Sequence, residues 1–158
     1  RDLSSSKNFL MFTEGHGNHF QTAINLFKDN KIFGQGANMF RKKCGEEKFL
    51  VKPYGCSTHP HNMYLQLLAE TGLIGFVFLF FLFFKICIYS LKHFYKKYFK
   101  NQFLLCEFEI ALLTCMLINF WPILPSGNFF SSSFGNIAIL PIVFLFLNNR
   151  FKNINFLK

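Results

Sequence analysis

The hydrophobic pattern divides the chain at about residue 72. From Leu73 to about Tyr89 the residues are apolar except Lys85. Some 18 residues at a rise of about 1.5 Å each reach roughly 27 Å, close to the hydrocarbon thickness of a bilayer. Two further apolar stretches follow, and the expected spans are about 72–90, 103–121 and 134–147. Glu107 and Glu109 fall early in the second, where they lie near the interface or face the bundle interior. Lys92, Lys96, Lys97 and Lys100 follow the first span in what reads as a short loop, and Arg150, Lys152 and Lys158 follow the third. Two crossings separate these clusters, so both fall on one side, and the positive-inside rule makes that side cytoplasmic. Residues 1–71 and the loop 122–133, with Trp121 at the interface, then face the periplasm or cell exterior. The expected fold class is all-α: a polytopic membrane helical bundle of about three transmembrane helices in 72–158, with an external helical loop region in 1–71.

Within that external region, residues 1–11 show no clear period. Phe20, Ala23, Ile24 and Phe27 fall at i, i+3, i+4 and i+7, with Gln21, Thr22, Asn25 and Lys28 opposite, which predicts an amphipathic helix of about three turns. Asn18 is the expected N-cap with Gln21 its capping-box partner, and the helix should stop near Asn30, before Gly34-Gln35-Gly36. Residues 34–53, rich in Gly and charge, read as a loop. Ser57 or Thr58 can cap a second helix with Pro60 in its first turn, and Glu70-Thr71-Gly72 marks its end or a bend.

Composition narrows the class. A net charge of +9 sits beside 51% hydrophobic residues, 25 of them Phe. Nucleic-acid modules do not carry long uncharged Phe/Leu/Ile runs, so the basic balance is read as membrane orientation and no nucleic-acid partner is expected. The chain begins at Arg1 and its first recognisable element is already a polar loop, so a C-terminal fragment of a longer membrane protein is expected.

Candidate chemistry concentrates just ahead of the first span. His59 and His61 immediately precede a helix, where the N-terminal dipole favours a neutral, proton-accepting imidazole. The plain alternative is a surface or capping histidine. Arg41, Lys42 and Lys43 form the cationic cluster of the outer side, and a guanidinium fork matches phosphate, against a solvated turn as the alternative. A bond between Cys44 and Cys56 would close a loop of about a dozen residues and in an oxidising compartment stabilise it by about 3 kcal/mol. Cys87, Cys106 and Cys115 fall in the expected spans as packing residues. Zinc held by Cys44, Cys56, His59 and His61 is a rival, weakened by the one-residue spacing between the histidines. His16 and His19 could add ligands or be ordinary loop residues, and Glu70 reads as a helix-end carboxylate.

The stretch HPHNMYLQLLAETGLIG resembles the O-antigen ligase/polymerase superfamily of bacterial envelope glycosyltransferases. The ligase pattern of His-Asn, nine residues and Gly-x-x-Gly is met by His61-Asn62, residues 63–71, Gly72 and Gly75. FQTAINLFKDNKIFGQGANMFRKKC resembles the family's helix followed by its Gly-x-Gly segment, so the likeness spans about 15–75. It implies an inner-membrane enzyme with residues 1–71 in the periplasm, needing no cofactor or metal, that moves a glycan from undecaprenyl diphosphate. The acceptor is a sugar hydroxyl of lipid A-core in a ligase, or a second lipid-linked glycan in a polymerase. By the resemblance His61 activates or positions the acceptor hydroxyl and Arg41 stabilises the diphosphate, with His59, Asn62, Lys42, Lys43 and Tyr64 as substrate-binding residues. TEGHGNHF lacks the Gly-Arg pair of many relatives, and the family's further arginines lie upstream, so this fragment is expected to be inactive alone. A non-enzymatic membrane anchor or export component with a structural periplasmic loop is the rival of another class.

Overall fold

The computed structural model describes residues 14–148, so the basic tail at Arg150, Lys152 and Lys158 lies outside the described residues. Among those described the chain is all-helical, without strands: α1 Glu14–Asp29, α2 Phe40–Lys43, α3 Met63–Lys100, α4 Glu107–Asn119 and α5 Ser132–Leu147. They fall into two compact units, 14–76 with 125–129, and 77–124 with 130–148.

In the first unit α1 packs Ala23 and Leu26 with Phe40, Cys44, Phe49 and Ala69, and it also buries Phe20. The buried face is rotated from the expected one: Thr22 is buried and Ile24 and Phe27 are half-buried. Thr22 can sit inside because its hydroxyl accepts the Val51 amide at 3.2 Å. Asn18 is not the N-cap. It lies within α1, and its side-chain amide donates to the Pro53 carbonyl at 2.7 Å, while Asn25 donates to Phe49 at 3.1 Å. These polar residues hold the following loop, and the expected helix end near Asn30 falls one residue after the observed one at Asp29.

Pro60 likewise lies before α3, not in its first turn. Asn62 caps that helix, accepting the Tyr64 and Leu65 amides, both at 3.0 Å. The expected bend falls at Gly72, whose φ of 67° and ψ of −157° break the helix. Leu73 would donate to Ala69 in an unbroken helix; instead its amide bonds the Lys31 carbonyl at 2.9 Å. The freed Ala69 and Glu70 carbonyls take the Gln35 and Gly36 amides at 2.9 and 2.8 Å. The turn after α1 therefore replaces the interrupted ladder, and both contact points need glycine. Gly34 and Gly72 have positive φ, and a side chain on Gly34 would meet the Glu70 backbone at 2.5 Å, one on Gly72 the Ile32 carbonyl.

Beyond Gly72, α3 is the one described helix long and apolar enough to cross a membrane. It carries Ile74, Phe78, Phe81 and Phe84 exposed. The expected lysine loop is helical through Lys100, because residues 91–100 contain no Gly or Pro and pair rings at i, i+4: Phe94 with Tyr98 and Tyr95 with Phe99. Asn101 in the left-handed region, with the Gln102 amide on the Lys96 carbonyl at 3.0 Å, closes the helix. α4, with 13 residues, rises only about 20 Å, shorter than the expected second span, while α5, with 16 residues, rises about 24 Å and begins two residues before the expected third. Glu109, buried in the second unit, accepts the Cys106 amide at 2.8 Å and the Asn148 side chain at 2.9 Å, so it caps its own helix while facing inward.

Gly72→Ala should destabilise the first unit by about 2 kcal/mol or more, because the residue must hold positive φ against a neighbouring carbonyl. Limited proteolysis within 30–36 checks this, and an unchanged cleavage rate would contradict the docking.

Candidate functional site

The first unit gathers four histidines from two segments far apart in sequence. His16 and His19 lie one turn apart on α1, and His59 and His61 lie in the loop before α3. The His61 ring centroid is 5.3 Å from His16, 5.3 Å from His19 and 4.2 Å from His59. His16 and His19 follow from helical spacing, but their meeting with His61 carries no sequence signal beyond the His-x-x-His pattern.

The loop presents His61 in an uncommon backbone state, with φ of 57°. Such a residue costs about 1–2 kcal/mol unless its surroundings hold it there. Here the Ser126 amide donates to the His61 carbonyl at 2.9 Å, and the next residue, Asn62, is fixed as the cap of α3. His59 is tied by Thr58, whose hydroxyl lies 3.0 Å from the His59 Nδ1, and by the Ser126 backbone.

Burial sets the protonation first, and proximity adds to it. Burial, then the positive charges that His59, His19 and His16 could carry, push His61 down to about 4. Burial lowers His59, opposed by its bond to the Ser126 backbone. Burial and then His16 lower His19, opposed by its bond to the Tyr54 backbone. Near neutral pH His61 is therefore an uncharged imidazole able to accept a proton.

The other expected site residues are placed unequally. Asn62 and Tyr64 are buried: the Asn62 oxygen caps α3, and the Tyr64 ring packs edge-on against Phe76 at 6.1 Å. Arg41 and Lys42 are exposed on α2. Lys43 is half-buried and its ammonium donates to the Gln35 side chain at 2.7 Å, which in turn donates to Asp29 at 3.0 Å. Cys44 and Cys56 are joined as a disulfide with Cα atoms 5.0 Å apart, so the zinc alternative loses both thiolates. No group of three or more His, Cys, Asp or Glu among the described residues has metal-holding geometry.

Sequence reasoning missed Gln66, Ser126 and Asn128. Gln66, in the first turn of α3, donates to Asn128 at 2.7 Å and accepts the Phe129 amide at 2.9 Å. The segment 125–129, expected as part of an external loop, thus packs into the first unit beside the histidines.

Comparison with known proteins agrees with the resemblance in sequence. Residues 13–80 match the family model described as O-antigen ligase. No curated protein and no solved structure matches the chain.

The depressed histidine pKa predicts acid lability. With an unfolded value near 6.5 and a folded value about 4 for His61, the neutral ring's contribution is complete above about 6.5 and is lost as pH falls through that window. Hydrogen exchange of α1 and 57–62 should accelerate between about pH 6.5 and 4, more in the wild type than in His61→Gln; equal pH profiles would contradict the cluster.

Proposed function

We propose that this chain carries the acceptor-activating and donor-binding part of an O-antigen ligase-type glycosyltransferase. The family match over 13–80 carries the reading, since it encloses both His61 and Arg41. In the proposed reaction a sugar hydroxyl of lipid A-core attacks the anomeric carbon of a glycan held on undecaprenyl diphosphate. The neutral His61 ring accepts the hydroxyl proton as the new glycosidic bond forms. The bond from the anomeric carbon to the phosphate oxygen breaks, and the diphosphate departs with both electrons. Arg41, exposed beside Lys42, meets the charge growing on that leaving group, where a preorganised guanidinium is most effective. Lys43, held by Gln35, contributes positive potential and fixes the turn. No step needs a metal or redox cofactor.

In this reading the bacterial inner membrane takes α3 from about Leu73, then α4 and α5 as the second and third crossings, with residues 1–71 in the periplasm. The exposed Phe and Leu side chains of α3 suit lipid or neighbouring spans. A polymerase of the same superfamily, with a second lipid-linked glycan as acceptor, shares all of this chemistry. A glycan assay in strains lacking one activity or the other separates the two.

His61→Ala in the full-length protein should reduce transfer by about 100-fold or more. Normal surface glycan in that variant would leave a non-enzymatic anchor as the better account. Arg41→Ala should weaken lipid-diphosphate donor binding by about tenfold, and Arg41→Lys by less, because only the guanidinium binds phosphate through two parallel bonds. Equal, wild-type binding in both would remove Arg41 from the reaction.

A further inference from the structure

Helix α2 has no means of holding itself. It is four residues long, too short to be stable alone, and Met39 at its N-cap provides no side-chain hydrogen bond. Its amide end is held from 30 residues away by Glu70. The Glu70 carboxyl accepts the Phe40 amide at 2.8 Å and the Asn38 amide at 3.1 Å. Asn38 itself lies in the left-handed region, so the approach to the helix is also held in an uncommon state. Arg41 is the very next residue after Phe40.

The same carboxyl reaches the other half of the site. Gln66, one helical turn earlier on the same face, donates to Glu70 at 3.2 Å and to Asn128 at 2.7 Å, and it accepts the Phe129 amide at 2.9 Å. That segment supplies the Ser126 amide that holds the His61 carbonyl. Glu70 and Gln66 are each 1% exposed. Apolar side chains of similar size would fill this space without any need for matched donors, so a buried carboxyl and amide here point to orientation.

We propose that Glu70 is a positioning residue, and that the Glu70–Gln66 pair is a strut fixing the Arg41 helix at one end and the His61 loop at the other. This rests on the roles given to Arg41 and His61 above. Glu70 touches neither substrate. It sets where the donor-binding guanidinium stands, and Gln66 sets where the proton acceptor stands.

The two halves separate kinetically. In the full-length protein, E70Q should raise the donor KM about tenfold and change kcat less than about twofold, since one of the two charge-assisted bonds that Glu70 accepts, from Phe40 of α2 and from Asn38 ahead of it, is lost. The double variant R41A/E70Q should be no worse than R41A. Q66L should lower kcat about tenfold and leave the donor KM near wild type, because it frees the 126–129 segment while Glu70 keeps both amides. The swap E70Q/Q66E returns a carboxyl to the pair but not to the Asn38 and Phe40 amides, so the donor KM should stay near that of E70Q. In E70Q the Asn38 and Phe40 amides should exchange faster while α1 does not, a readout independent of activity.

A wild-type donor KM in E70Q, full additivity with R41A, or wild-type kinetics in Q66L would overturn the strut while leaving the glycosyltransferase reading intact. Undiminished transfer in H61A and R41A together would overturn that reading, and the positioning role with it.

Discussion

Everything in the first unit depends on the break in α3 at Gly72. A helix that continued through this position would satisfy its own carbonyls and present nothing to its neighbours. Because it stops, the Ala69 and Glu70 carbonyls are open to the Gln35 and Gly36 amides, and the Leu73 amide to the Lys31 carbonyl. Three backbone bonds then lock the turn after α1 against the helix. That fixes α1, and with it His16 and His19, on the side where His61 emerges. The break also ends the polar part of α3 just before its apolar run, so the chemistry and the membrane-compatible segment meet at one residue.

Two consequences for function follow from that arrangement. Burial first, and then the positive charge that the neighbouring imidazoles would bring, keep His61 neutral. A neutral ring suits a proton acceptor, although a value near 4 makes it a modest base whose merit is availability more than strength. Arg41 and Lys42 stand exposed on α2, where burial does not compete with their hydration. In the proposed reaction this divides the labour: an uncharged group meets the incoming hydroxyl, and charged ones meet the departing diphosphate.

Much of this was legible in the sequence, but only where the cause was local. The Gly72 bend, the amphipathic α1 and the apolar run from Leu73 follow from glycine freedom and from hydrophobic period, and the family spacing marks His61. The N-cap assignments to Asn18 and Ser57 or Thr58 failed because those side chains are engaged elsewhere: Asn18 with Pro53, Ser57 and Thr58 with His59. Asn62 caps α3 instead. The lysine-rich 92–100 segment read as a loop from its charge, whereas its ring pairs at i, i+4 carry the helix on. Nothing local could show that His16 and His19 meet His61, or that Ser126 and Asn128 return to the first unit. Those contacts join residues more than 40 positions apart and leave no period. Glu70 was read as a helix-end carboxylate, and its actual partners, the Asn38 and Phe40 amides, are likewise distant in the chain.

The central claim is that the fold holds His61 uncharged and ready to accept a proton at neutral pH. Following the imidazole resonances of the full-length protein as a function of pH, with His61→Gln to assign the signal, tests it directly. A titration midpoint for His61 near 4 agrees with the clustered, half-buried ring. A midpoint at the ordinary value near 6.5 would mean that the four histidines do not assemble, and the account of the site would fail with them.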